Sequence, residues 1–301
     1  MSTNHGSVPP NRLISPPRGR LGTSIPPEGY FIVSAVFHYL GPSFAVLLFA
    51  RVDVLGVAWF RIVSAATVFA LWRRPWSAFA AYDTATRRSV VAWGVVLAVM
   101  NCTFYLAIAR LPLASVAAIE FLPVIVLAAV GSRTSRNIFA LALAVSGVYR
   151  LTGVLLPGDP MGVVFAFANA TLFAAYITLG HRLAQRGAGP GIDSLAAAMV
   201  LSALAVTPFT IWSAIPAFSS ATTVLAGVGV GICSSVVPYI ADQLAMARIK
   251  RSTYALLVSL LPATATIVGL IVLGQVPTTS EAIGVGLVIA AVGIHRDEDA
   301  L

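Results

Sequence analysis

Leu106-Ala107-Ile108-Ala109-Arg110 closes one long apolar run, and Leu244-Ala245-Met246-Ala247-Arg248 closes another. Each is followed by a short basic or proline-containing turn and then by a further apolar run. That next run carries Pro123 in the first case and Pro262 in the second. The offsets are 138 and 139 residues, so the two halves of the chain align with a single gap. Working outward from this pair gives ten apolar runs: 29–50, 54–72, 89–109, 113–130, 138–156, 161–180, 194–212, 224–242, 252–274 and 278–294. Five runs per half is an odd number. If each run crosses a membrane, the second half must enter it in the opposite sense to the first. Inverted repeats of this kind build alternating-access transporters, with the substrate site at the repeat interface.

Composition requires the membrane. Of 301 residues, 58% are hydrophobic and 10% charged, with mean hydropathy +0.90. Soluble domains carry about 25% charged residues, so too little polar surface exists here to cover a soluble globule. Regular apolar/polar alternation is absent, which disfavours a transmembrane barrel and leaves helices, since lipid offers the backbone no other partners. The expected fold is therefore an all-α integral membrane bundle of ten helices in two inverted five-helix repeats, residues 29–156 and 161–294. Residues 1–28, with Pro9, Pro10, Pro16, Pro17, Pro26 and Pro27, read as a disordered cytoplasmic tail, and 295–301 as a short second one. Cys102 and Cys233 sit in apolar runs and read as buried thiols, not as a disulfide framework.

Charge placement orients the bundle. Placing the N-terminus inside collects fifteen of the nineteen basic residues on the inner side. They are Arg12, Arg18, Arg20, Arg73, Arg74, Arg87, Arg88, Arg133, Arg136, Arg182, Arg186, Arg248, Lys250, Arg251 and Arg296. Arg51, Arg110 and Arg150 fall at or near the outer side, and Arg61 lies within a run. That bias predicts an inner-membrane protein with both termini cytoplasmic. The same bias accounts for the net charge of +8, so a nucleic-acid partner is not expected.

Charges deep in a span are the most informative residues, because each costs about 2.5–3.5 kcal/mol at a helix centre. Arg61, Glu120 and Arg150 lie six or seven residues below the outer ends of their runs, and Asn101 and Asn169 eight. At 1.5 Å per residue the three charges share one layer about 9–11 Å deep. A guanidinium from Arg61 or Arg150 fits a substrate carboxylate; Glu120 fits an ammonium or exchanges a proton. The competing reading is a Glu120–Arg pair that merely locks helices together, with Arg150 snorkelling outward. His38, mid-run beside Tyr39, either relays protons or hydrogen-bonds across helices. Asp242, at an inner end, reads as an inner gate or a surface pair. Pro123, Pro208, Pro238 and Pro262 each free a carbonyl one turn back, at hinges or static kinks. Gly227 and Gly231 form a GxxxG pattern suited to close packing inside the bundle.

The stretch Met100-Asn101-Cys102-Thr103-Phe104-Tyr105-Leu106-Ala107-Ile108-Ala109, continued by Leu113-Ala114-Ser115 and Ile119-Glu120-Phe121, resembles the EamA family of the drug/metabolite transporter superfamily. Leu55-Gly56-Val57-Ala58-Trp59-Phe60-Arg61, Ala175-Tyr176 and Ser235-Val236-Val237-Pro238-Tyr239 agree with it, and the threonine/homoserine exporter branch is the nearest likeness. The resemblance implies a ten-helix inverted-repeat exporter of small metabolites, often amino acids, coupled to protons, with Tyr105, Tyr176 and Tyr239 lining the cavity. Two departures stand out. The branch usually has Glu before the ninth-span proline, where this chain has Leu261, and a Gly-Glu pair after that span, where it has Gly274-Gln275.

The expected protein is a secondary transporter of a small molecule, without metal or other cofactor and not an enzyme. HExxH, CxxC and Gly-rich phosphate-loop motifs are missing. The alternatives are an intramembrane enzyme or lipid-handling protein using Glu120 and His38, or a transporter of some other metabolite or drug.

Overall fold

The computed structural model describes residues 27–131, 134–155, 158–185, 191–246 and 261–294. All regular structure among them is helical: α1 (Pro27–Leu48), α2 (Val54–Arg73), the short α3 (Trp76–Ala81), α4 (Thr84–Ile108), α5 (Leu113–Gly131), α6 (Ser135–Leu155), α7 (Pro160–Gln185), α8 (Gly191–Ala214), α9 (Ala221–Gly231), α10 (Val237–Met246), α11 (Leu261–Leu273) and α12 (Thr279–Ile294). A 3₁₀ turn (Ile215–Ser219) follows α8, and one wide π-type turn (Ile232–Val236) joins α9 to α10. The helices start and stop where the sequence provides caps. Asp53, Asp83 and Ser220 accept from backbone N–H groups two or three residues on. Thr278 and Glu281 form a reciprocal capping box at α12. Gly274, at φ 65°, ends α11 in the left-handed region.

Six helical stretches are long and apolar enough to cross a membrane: Gly29–Leu48, Val54–Arg73, Thr84–Ile108, Pro160–Gly180, Ile192–Ser219 and Ala221–Ala241. The interior is mostly apolar, as in a soluble protein, but the outside is apolar as well. Phe209 is 81% exposed, Ile271 76% and Leu225 71%, whereas Arg61, Asn101, Glu120 and Asn169 are buried. An outer shell of large apolar side chains is what lipid solvates and water does not.

Helix packing falls into couples. α6 lies along α12 and α2 along α8; α4 packs on α7 and α1 on α10; α5 packs on α7 and α1 on α11. Contacts between helix ends sort into two sets. At one end Arg73 pairs with Asp193 (2.8 Å), Tyr82 bonds Ser194 (3.0 Å), and Arg136 donates to the Ile294 carbonyl at the α12 terminus. At the other, Arg110 pairs with Asp159 (3.3 Å), and the Leu113 N–H donates to Gln275 Oε1 (3.0 Å). Each contact joins ends that the charge count puts on one face.

Asp159 also caps α7, accepting from Gly162 N–H at 2.8 Å. That bond, aided by Arg110, holds its carboxyl below the usual aspartate range. Its contribution is therefore full above the ordinary value of 3.8 and is lost as pH falls through the lowered one. Asp159→Ala is expected to lower the melting temperature of detergent-solubilised protein at neutral pH. Asp159→Asn, which keeps a cap acceptor, should retain most of the stability.

GxxxG is internal packing. A Cβ on Gly227 would stand 2.6 Å from the Phe60 ring, and one on Gly231 2.8 Å from the Arg61 carbonyl oxygen. The pattern seats α9 on α2.

Candidate functional site

The site is organised around the break between α9 and α10. Pro238 has no N–H, so it cannot donate to the Ser234 carbonyl one turn back. The chain widens there instead, and Val237 N–H reaches Ile232 O. Arg61, 5% exposed on α2, fills the gap: its Nη2 donates to Ser234 O at 3.4 Å and its Nε to Ser235 Oγ at 3.1 Å. The guanidinium carbon lies 5.3 Å from the Tyr105 ring centroid and 5.7 Å from that of Phe104, both on α4. Two hydrogen bonds and two aromatic faces offset the cost of burying the cation. Nη1 is buried without a partner among the described residues. Gly41 of α1 allows the backbones to meet here, since a Cβ on it would sit 2.4 Å from Ser234 Cβ.

Glu120 of α5 is 6% exposed, and its Oε1 accepts from Asn169 Nδ2 of α7 at 3.1 Å. Tyr39 and Arg61 are close enough to it for electrostatic interaction. Among the described residues Glu120 makes no ion pair: those present are Arg73–Asp193 and Arg110–Asp159. A buried acid and a buried guanidinium thus share a region without neutralising each other by contact. Asn169 Oδ1 and the Tyr39 hydroxyl are buried there without partners among the described residues.

The structure brings some expected residues together and not others. Arg61, Tyr105, Glu120 and Asn169 converge. Asn101 is buried, but its Nδ2 bonds the Leu97 carbonyl of its own helix at 2.7 Å. His38 is half-buried, edge-on to Tyr39 at 5.4 Å and within electrostatic reach of Arg61. Arg150 does not join the layer: its side chain is exposed on α6 beside Tyr149, which is 78% exposed. It occupies an exposed face of its helix, where an Arg can snorkel. The Glu120–Arg lock is likewise replaced by the Glu120–Asn169 bond.

Tyr176 and Tyr239 lie below the layer, packed with Leu97, Met199 and Trp93. Tyr176 belongs to a row of rings: Phe121 to Phe173 (6.2 Å), Phe173 to Tyr176 (6.3 Å, stacked) and Tyr176 to Trp93 (5.5 Å). That row runs from beside Glu120 toward the Arg-rich end. Pro238 is buried at the break, Pro123 is half-buried in α5, and Pro262 is buried in the first turn of α11. Asp242 lies on α10, and its side chain is outside the described residues, as are the tails 1–26 and 295–301. The site residues missed from sequence are Ser234, Ser235 and Tyr39. The spacing of Ser234 four residues before Pro238 was the available signal for the first.

Residues 160–295 match the model of the EamA-like transporter family. Over 254 residues the chain is 30% identical to the threonine/homoserine exporter RhtA of Escherichia coli (strain K12), covering 83% of this chain and 84% of that protein. The chain belongs to the EamA family. The threonine/homoserine exporter RhtA of Salmonella typhimurium (strain LT2) is 28% identical over the same shares. A solved crystal structure, 19% identical, superposes with TM-score 0.56 over 89% of this chain and 96% of that one, a likeness of fold. This EamA-family chain is therefore a multi-pass membrane transporter.

One departure from the exporter branch now has a physical account. Gln275, where the branch usually carries Glu, uses its carbonyl oxygen to accept from Leu113 N–H at the start of α5. An amide meets that need as a carboxylate does. Leu261, the other departure, stands half-buried at the first described residue of α11.

Proposed function

We propose that the chain is an inner-membrane secondary transporter that exports a small amino acid of the threonine or homoserine type by alternating access. The observation that carries this reading is the pair of buried, opposite and unpaired charges, Arg61 and Glu120. A zwitterion carries a carboxylate for Arg61, whose Nη1 is free among the described residues, and an ammonium for Glu120. With Arg150 outside, the layer has one charge of each sign, which suits a ligand of zero net charge. The names of the relatives support the substrate class.

The coupled helix packing supports two inverted five-helix halves. Exchanging first-to-fifth spans for sixth-to-tenth turns the α4–α7 contact into α1–α10, and α5–α7 into α1–α11. The grouping of helix ends supports alternate crossings, and the Arg-rich end is then cytoplasmic with both termini. Glu120 is the proton-exchanging group in this scheme, and the break at Pro238 is the hinge.

The test is efflux from loaded cells across an amino-acid panel, with and without an uncoupler, using variants at equal membrane abundance. Threonine or homoserine efflux should depend on the protein and fall with the uncoupler. Glu120→Gln should cut it at least tenfold and Glu120→Asp less. Undiminished efflux in Glu120→Gln would remove proton exchange at this residue. Efflux indifferent to the protein for every amino acid would remove the substrate assignment.

A further inference from the structure

Residues 71–90 carry the chain from α2 through the six-residue α3 into α4, and this elbow holds four arginines and a single acid, Asp83. Arg73 is neutralised by Asp193 of α8. Arg74, Arg87 and Arg88 are exposed, with no carboxylate within ion-pair distance among the described residues. Asp83 is taken up as the cap of α4, accepting from Thr86 N–H at 3.3 Å. Phe79 of α3 and Tyr82 just past its end pack against the buried cluster of Val90, Trp93, Leu183 and Leu195, and the Tyr82 hydroxyl lies 3.0 Å from Ser194 Oγ. Trp76, Ser77, Ala80 and Ala81 form the exposed face of α3. Arg87 reaches back from α4 to donate to the Ala80 carbonyl, so Arg74 and Arg87 mark the two ends of a helix about 9 Å long. Trp72 (51% exposed) and Trp76 (58%) flank Arg74 in the chain, and Leu71 is exposed too. Arg74 is the one non-glycine residue at positive φ, 48°, among the described residues. That left-handed place at a helix end usually belongs to glycine. The positive-inside bias accounts for basic residues at the end of a span, but not for an arginine held in a glycine's conformation.

We infer that this elbow is a binding site for an anionic phospholipid of the phosphatidylglycerol type. Guanidinium groups hold phosphodiesters through charge-assisted hydrogen bonds. The elbow also stands at the right level for that ligand. It joins the ends of two stretches long and apolar enough to cross a membrane, Val54–Arg73 and Thr84–Ile108. Tryptophans favour the boundary between acyl chains and headgroups, which is where Trp72 and Trp76 then lie. The exposed arginines meet the phosphate, and Leu71, Trp72 and Trp76 meet the lipid's apolar part. A soluble anion would engage the arginines alone and leave that exposed apolar rim without a partner. Arg73 is not part of the site, because its bond to Asp193 ties the elbow to α8. The site is independent of what the transporter carries.

The test titrates the full chain in dodecyl maltoside micelles with palmitoyl-oleoyl phosphatidylglycerol or the matching phosphatidylcholine and reads bound lipid by native mass spectrometry. The first phosphatidylglycerol should bind at least tenfold more tightly than the first phosphatidylcholine, and the difference should shrink as ionic strength rises. Arg74→Gly should weaken phosphatidylglycerol binding about fivefold, the effect of one arginine near an anionic lipid surface. It should not lower the melting temperature, because glycine fits the left-handed backbone. Arg88→Gln, an exposed change on α4, should weaken binding by a similar factor and carries the test even if Arg74→Gly were to unfold. The double variant should lose about 25-fold, since the two sites act independently. Arg51→Gln removes an exposed charge at the other end of α2 and should change nothing. Equal binding of the two lipids, full affinity in the double variant, or an equal loss in Arg51→Gln would each overturn the assignment. So would displacement of the lipid by glycerol 3-phosphate at matching concentration, which would mark an anion site that needs no lipid.

Discussion

Replacing Arg61 by Gln is expected to reduce efflux about 10- to 150-fold at equal membrane abundance, the equivalent of a lost charge-assisted hydrogen bond of about 1.5–3 kcal/mol. Two effects combine. The substrate loses the only described buried cation near Glu120. The Ser234 carbonyl, which Pro238 deprives of its i+4 donor, loses its contact from α2. Arg61→Lys separates them. A lysine keeps the charge but not the planar fork, so it cannot serve the Ser234 carbonyl, the Ser235 hydroxyl and a carboxylate together. It should recover part of the transport and remain well below the natural protein. Wild-type efflux from Arg61→Gln would show that the guanidinium only braces the helix break.

Gly41→Ala is expected to be strongly destabilising. Its Cβ would fall 2.4 Å from Ser234 Cβ and 2.6 Å from Ser234 Cα and N. Two of those three atoms are backbone, and no rotamer relieves them, so α1 must move off the α9–α10 break. Overpacking of this kind costs about 1–3 kcal/mol. Because Arg61 holds the same segment, the shift should also reduce transport in the fraction that folds. Gly229→Ala is the control. Nothing lies within 4 Å of its Cβ, and Ala favours helix over Gly by about 0.5–1 kcal/mol. Melting curves of the two purified proteins, read by tryptophan fluorescence, should move in opposite directions. Equal curves would mean that the close approach at Ser234 is not needed.

Hydropathy and basic residues made the class of fold legible, because lipid acts on every residue of a span and the positive-inside bias on the short loops between spans. Depth along a helix was legible for the same reason, and Glu120 and Asn169, placed in one layer by counting, do meet. Rotation about the helix axis was not. Counting gives Arg61 and Arg150 matching depths, yet Arg61 is buried and Arg150 exposed, since a six- or seven-residue count speaks to height and leaves azimuth to packing. Partner choice was equally hidden. Arg61 was expected to meet a carboxylate, and it meets a carbonyl freed by a proline 177 residues further along the chain. The role of Gln275 was visible only once the turn beside it touched the start of α5.

The four rings from Phe121 to Trp93 have a consequence for energetics. If that row closes the path from Glu120 to the basic face, parting three ring contacts at about 0.5–1.5 kcal/mol each would cost about 1.5–4.5 kcal/mol in all. Thermal agitation crosses a cost of that size readily, so a door built from this row would swing without fuel. A gradient across the bilayer would then have only to set the direction of traffic through it.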